Sequence, residues 1–200
     1  MTDQSELEKA RPLSAPVDPL LYHRWSPRSM SGESLDEEDI KALFEAARIA
    51  PSCYNAQPWR FIYATNTDPE WNAFLDLLVD FNKSWAKNAG MLVIIASRKR
   101  FEHNEKPSQT HSFDTGAAWM SLSLEGSHRG LVVHGMGGFD YEKAALVAKL
   151  PADFQVEAMA AVGKKAPKEK LPEQLQAKET PSGRRPLSEM LFKASFQGKP

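Results

Sequence analysis

Residues 91–97, MLVIIAS, form an unbroken apolar run closed by a small polar residue. It is far too short to cross a bilayer as a helix, which takes about 20 residues. Its length and branched side chains suit a strand buried on both faces, the centre of a sheet covered by helices on either side. The rest of the chain must supply those helices and the neighbouring strands.

The periodicities supply them. Ser34 and, three residues later, Glu37 form a capping-box pattern. Ile40, Leu43, Phe44 and Ala47 then share one helical face, and the helix should end near Ala50, because Pro51 disfavours helical geometry in the residue before it. RFIYAT at 60–65 reads as a strand. Asp68-Pro69 opens a second amphipathic helix carrying Trp71, Phe74, Leu75, Leu78 and Phe81. Residues 112–129 read as a long helix rich in small residues, with Asp114 near its start and Gly130 as its stop. A short strand from Leu131 runs into the turn Gly135-Met136-Gly137-Gly138, and Asp140 caps a helix that ends near Leu150. Residues 155–162 read as a last core strand. Helices and strands mix without a regular βαβ repeat, so the fold class is α+β.

The ends differ in character. Residues 1–16 are polar and mixed in charge, and we expect them to be disordered. Residues 17–200 then form a single domain. Its tail, 164–200, is an arm rich in Lys, Pro, Glu and Gln that turns apolar at PLSEMLFKASF (186–196), a segment suited to docking somewhere distant.

Composition excludes several classes. The 200 residues carry a formal net charge of -1, too little cationic excess for a general nucleic-acid binder. Cys53 is the sole cysteine, so no intrachain disulfide and no CxxC metal site can form. The five histidines show no ligand spacing. The start lacks the apolar core of a signal peptide, and we expect a soluble, cytoplasmic protein with no membrane partner. P-loop, GxGxxG and GxSxG motifs are absent from the sequence.

Four clusters carry chemistry-bearing groups. Arg24-Trp25-Ser26-Pro27-Arg28 sets a hydroxyl between two guanidiniums, which suits a phosphate, although taken alone the motif reads more simply as a solvated charged turn. The loop APSCYNAQPWRFI (50–62) brings Pro51, Ser52, Cys53, Asn55, Gln57 and Arg60 together with Trp59. It offers polar groups and a flat surface to a planar ligand, or else is a turn with Trp59 in the core. Asn82 in DFN is an expected helix C-cap. Met136, Gly137 and Gly138 lie in a turn whose main-chain N–H groups could approach a ligand closely. After Gly183, Arg184-Arg185 could add cations to a phosphate site.

The order of these clusters is more specific than any one of them. RWSPR, PSCYNAQPWRF, DFN, GMGGFD and RRPLSE, from about residue 20 to 196, together resemble the FMN-dependent nitroreductase family. The resemblance implies a mostly antiparallel sheet flanked by helices, in a homodimer whose C-terminal arms wrap the partner. It also implies two FMN sites at the subunit interface. Arg24 and Ser26 would hold the phosphate and ribityl oxygens, with Trp25 where the family often has a second basic residue. Arg28 would face the N1/O2 edge of the ring, and Asn82 the pyrimidine edge. The main chain of Gly137 and Gly138, following Met136, would approach N5 and O4. Pro51, Ser52, Cys53 and Asn55, with Gln57 in the same loop, would come from the other subunit, and Arg184 or Arg185 would complete the phosphate site. The implied activity is transfer of electrons from NADH or NADPH to a nitroaromatic or quinone in two half-reactions, the protein supplying binding and charge. A flavin carrier or sensor without turnover is the alternative. A helical interaction module docking through 186–196 is a third.

Overall fold

The computed structural model describes residues 4–197. Among them four strands form one antiparallel sheet in the order β1-β2-β4-β3: β1 (Trp59–Thr65), β2 (Met91–Arg98), β3 (Leu131–Met136) and β4 (Phe154–Lys164). The run 91–97 is β2. It is buried throughout, paired with β1 from Trp59↔Ser97 to Thr65↔Met91 and with β4 from Met91↔Val162 to Arg98↔Phe154, with a bulge between Ile95 and Ala96. Strand alternation splits its side chains between two cores. Met91, Val93 and Ile95 join Ala160 and Val162 under α3 (Glu37–Arg48) and α6 (His111–His128), through Leu43, Ala47, Ala118 and Leu122. Leu92 and Ile94 face the other layer, which holds α4 (Trp71–Leu75), α5 (Asp80–Ala86), α7 (Tyr141–Val147) and α8 (Glu173–Gln176). Gly126 lets α6 lie directly on β3: a Cβ there would collide with Val133 Cγ2.

Four expectations about local structure change. The Ser34–Glu37 capping box does not form. Ser34 Oγ bonds Asn66 Oδ1 at 2.9 Å, and α3 starts after Asp36 with an acidic first turn, Glu37, Glu38 and Asp39, which favours the positive helix end. The helix expected across Trp71 to Phe81 is two helices, α4 and α5. Between them the backbone leaves the helix to bond the glycine turn, with Val79 N donating to Gly138 O (3.1 Å) and Asp140 N to Leu77 O (2.9 Å). Both short helices bury toward the same core, so the apolar period ran on through the break.

The expected disordered start is, from residue 4 onward, a packed segment. Helix α1 (Gln4–Ala10) buries Leu7 to 3% exposure, and Arg11 is buried beside it. Next come α2 (Pro19–His23), capped by Asp18, and the extended residues of RWSPR. The expected arm divides in two. Ala166, Leu171, Leu175 and Pro181 are buried on their own chain. Leu187, Met190, Leu191 and Phe196 are 51–84% exposed.

Candidate functional site

The RWSPR segment runs past the outer edge of β3 and is pinned from two sides. On one side, His134 in β3 bonds Pro27 O through Nδ1 at 2.9 Å. Its ring packs on Trp85 of α5 with centroids 4.7 Å apart. Burial pushes the His134 pKa below the ordinary histidine value and the charge of Arg28 adds to this, while the bond to Pro27 opposes it. A neutral imidazole donating from Nδ1 fits that balance. On the other side, Glu179 Oε1 from the arm accepts the Arg28 and Ser29 N–H groups at 2.7 and 2.8 Å. Ser29 Oγ donates to Pro167 O at 2.6 Å.

Three guanidiniums gather where this segment meets the N-terminal helix and the arm. Arg24 is half-buried and bonds Ser26 Oγ at 3.2 Å. Arg11 donates to Ser182 O and Arg24 O, at 3.0 and 2.9 Å, and Arg184 donates to the same Ser182 O at 3.2 Å. Burial first, and then the charge of Arg184, holds both Arg11 and Arg24 below the ordinary arginine value. Among the described residues no carboxylate lies within ion-pair distance of any of the three, whereas Arg185 is exposed and faces Glu189 at 3.9 Å. Of the two tail arginines, therefore, Arg184 belongs to the cluster. Arg28 Nε is buried and has no hydrogen-bond partner among the described residues.

Asn82 and the glycine turn are linked to the RWSPR segment through Trp85 and His134. Asn82 lies in the first turn of α5, not at a helix C-terminus as expected, because the helix restarts at Asp80. Its Nδ2 donates to Gly138 O at 3.0 Å, and a Cβ on Gly138 would come within 2.7 Å of that nitrogen. Gly137 is exposed, while Met136 is a core residue at 4% exposure. Trp85 lies three residues beyond Asn82 and touches His134, so RWSPR, Asn82, Gly137, Gly138 and Arg184 share one side of the fold.

The loop 51–57 is elsewhere. It leads into β1, the opposite edge of the sheet from β3, with two strands between, a span of about 14 Å. Its shape is unusual: Tyr54, Asn55 and Gln57 all have left-handed backbone, φ 53°, 53° and 48°. Ser52 Oγ accepts Gln57 N at 3.0 Å, and the buried Asp114 of α6 accepts Cys53 N at 3.1 Å. Tyr54 is 82% exposed and meets Phe101 edge-on. Trp59, one of the two readings of the loop's flat surface, is in the core at 7% exposure, and Arg60 bonds the loop's own carbonyls. One chain thus places the candidate residues in two separate groups.

Reasoning from sequence missed Arg11, His134 and Glu179, and read Asp114 only as an acid near the start of the long helix. All four act on segments distant in sequence. Among the described residues, no group of three or more His, Cys, Asp or Glu could hold a metal. His111 meets Ser97 at 2.7 Å, but that serine is fully buried and gives its proton to Glu157, so it is not an exposed nucleophile.

A sheet of this order, flanked on both faces and carrying a cation cluster at one edge, defines a class that comparison with known proteins identifies. The nitroreductase family model matches residues 21–77 and 63–164, and the chain belongs to that family. A crystal structure described as an oxidoreductase containing FMN superposes with a TM-score of 0.90 at 42% identity, covering 94% of this chain and 97% of that one. Protein DrgA of Synechocystis sp. is 26% identical over 176 residues, 72% of this chain and 82% of DrgA. The oxygen-insensitive NADPH nitroreductase of Helicobacter acinonychis is 35% identical over 69 residues, and the match spans about a third of that relative's length (32%).

Proposed function

We propose that this protein is an FMN-dependent oxidoreductase that takes electrons from NADH or NADPH and delivers them to a small acceptor such as a nitroaromatic or quinone. The observation that carries this reading is the group Arg11, Arg24 and Arg184, three guanidiniums with no carboxylate at ion-pair distance among the described residues, together with the buried Nε of Arg28, unpartnered among the same residues. Like charges gathered in this way ask for an anion, and a donor left dry asks for an acceptor. FMN supplies both, a phosphate at one end and the N1/O2 edge of its ring at the other, and the homologous structure described as an oxidoreductase containing FMN supports the choice.

Bound there, FMN would supply the hydride and electron chemistry. The chain's own residues bind and orient it. Arg24, Ser26 and Arg184 hold the phosphate end. Arg28 lays positive charge beside the pyrimidine edge, which favours the electron-rich form of the ring and raises its potential. Asn82 and the backbone at Gly137 and Gly138 fix the ring edge. No side-chain nucleophile or acid is required, which suits a two-stage exchange in which the nicotinamide leaves before the acceptor enters.

The site is completed by a second copy of the chain. Loop 51–57 and the RWSPR segment stand at opposite edges of the sheet on one chain, so in this reading the loop comes from the partner. The exposed face of α6 carries Phe113 (80% exposed), Gly116 and Met120, an apolar stripe suited to its own symmetry mate, and the exposed 187–196 segment suits wrapping around that mate. Among the described residues no helix is long and apolar enough to cross a membrane.

The test is direct. Purified protein should be yellow and should oxidise NADH or NADPH when a nitrofuran or quinone is present. Colourless protein that takes up no added FMN would overturn the reading. Yellow protein that neither nicotinamide reduces would make it a flavin carrier instead.

A further inference from the structure

Arg11 lies in the N-terminal segment, outside every motif that points to the flavin, yet it is among the most buried charges in the molecule at 7% exposure. Among the described residues its guanidinium meets no acid. Nε donates to Ser182 O at 3.0 Å, and one terminal nitrogen donates to Arg24 O at 2.9 Å and Tyr22 O at 3.3 Å. The three carbonyls belong to two segments more than 150 residues apart in sequence, the end of α2 and the turn before Arg184. The joint is tight: Tyr22 OH returns a bond to Arg11 O at 3.3 Å, and a Cβ on Gly183 would come within 3.2 Å of Ala10 O. A planar fork with five donors can hold several carbonyls in fixed relation, which an ammonium cannot.

We propose that Arg11 is a positioning residue of the phosphate site, drawing the Arg24 and Ser182–Arg184 segments together so that the guanidiniums of Arg24 and Arg184 converge on one phosphoryl group. This rests on the FMN reading of the site. Because Arg11 shares the Ser182 carbonyl with Arg184 and holds the main chain of Arg24, removing it frees both cations to separate, as their mutual repulsion favours. The ring-binding groups, Arg28, Asn82 and Gly138, are held by His134, Glu179 and α5 and do not depend on Arg11.

The two flavins that differ only in the phosphate separate these roles. Dissociation constants of FMN and riboflavin are measured by fluorescence for the full-length protein and for Arg11→Met and Arg11→Lys, after the native flavin has been dialysed away. The proposal expects Arg11→Met to weaken FMN about tenfold or more while riboflavin stays within about twofold, with Arg11→Lys between wild type and Met. An unchanged FMN-to-riboflavin ratio, whether both affinities fall or neither does, overturns it and makes Arg11 a plain structural contact. If Arg11→Met does not fold, the ratio in Arg11→Lys decides by the same criterion. A wild-type protein that binds neither flavin overturns the FMN reading and this inference with it. One that binds both, with the variants unchanged in ratio, overturns this inference alone.

Discussion

Asp114 ties loop 51–57 to the rest of the molecule, and removing its carboxylate tests how that loop keeps its shape. The side chain is 4% exposed, and Oδ2 accepts Cys53 N and Thr110 Oγ1, both at 3.1 Å. Hydrogen bonds to a charged acceptor contribute about 1.5–3 kcal/mol each, so Asp114→Ala forfeits about 4 kcal/mol if nothing else moves. The loop does have reason to move. Tyr54, Asn55 and Gln57 sit in the left-handed region, at about 1 kcal/mol each, somewhat less for Asn. The stored strain, about 2–3 kcal/mol, rivals the anchor, so the loop should relax once the anchor is gone. The net loss of global stability is then only about 1–2 kcal/mol, read by urea denaturation. Release of the loop should show in Cys53, the only thiol in the chain and half-buried, which should react several-fold faster with a disulfide reagent. Flavin retention should fall as well if the loop closes over the ring. A loss near 4 kcal/mol with an unchanged thiol rate would mean that the loop stays put and that the strain argument is wrong. No change in either would mean that Asp114 anchors nothing.

Other perturbations probe separate parts of the account. Arg28→Ala should lower the midpoint potential of bound flavin, by about 30 mV if the lost contact contributes about 1.4 kcal/mol to a two-electron couple; spectroelectrochemical titration giving an unchanged potential would assign Arg28 another role. Gly126→Ala gains about 1 kcal/mol of helix propensity but drives a methyl into Val133 Cγ2, with Leu43 Cδ2 only 3.3 Å away. Overpacking of about 2 kcal/mol should win and lower Tm by about 2–4 °C; a rise in Tm would refute the tight α6–β3 contact. Because the folded-state pKa of His134 lies below its unfolded value, the unfolded chain binds the extra proton first. The contribution of this histidine to stability is therefore present above the ordinary histidine value and lost as pH falls toward the lowered one, and His134→Gln should flatten urea stability between pH 7 and pH 5. A mutant that keeps the full wild-type acid sensitivity would contradict this. Ending the chain after Gly183 should weaken the proposed dimer on size-exclusion chromatography, and a truncated protein that remains a stable flavin-loaded dimer would show that the exposed 187–196 segment is not an arm.

What the sequence disclosed follows the range of the forces involved. Strand β2 and helices α3 and α6 were readable because burial imprints a local period, and each of them buries a continuous face. The split between α4 and α5 was not readable, since both halves face one core and the break is made by hydrogen bonds to a turn some 60 residues away. The N-terminal segment looked like a polar tail because Leu7, its one buried apolar side chain among the described residues, carries no period, while Arg11 is held by carbonyls of Tyr22 and Arg24 and by that of Ser182 at the far end of the chain. At the site, RWSPR, Asn82 and the glycine turn were legible as residue types in order. Their supports, His134 beneath Pro27, Glu179 on the Arg28 amide and Asp114 on Cys53, were not, because a supporting contact leaves no mark on spacing.

The central claim is that one site draws Arg24, Arg28 and Asn82 from one chain and loop 51–57 from another, and mixed dimers test it most directly. One chain carries Arg24→Ala with Arg28→Ala; the other carries Asp114→Ala with Asn55→Ala. Each variant alone should purify nearly free of flavin. Co-expressed and separated by different tags, the heterodimer should regain flavin at one of its two sites, because one site then receives an intact half from each chain. A heterodimer as flavin-free as its parents, with wild type loaded, would contradict the account, for it would mean that both halves are needed within a single chain.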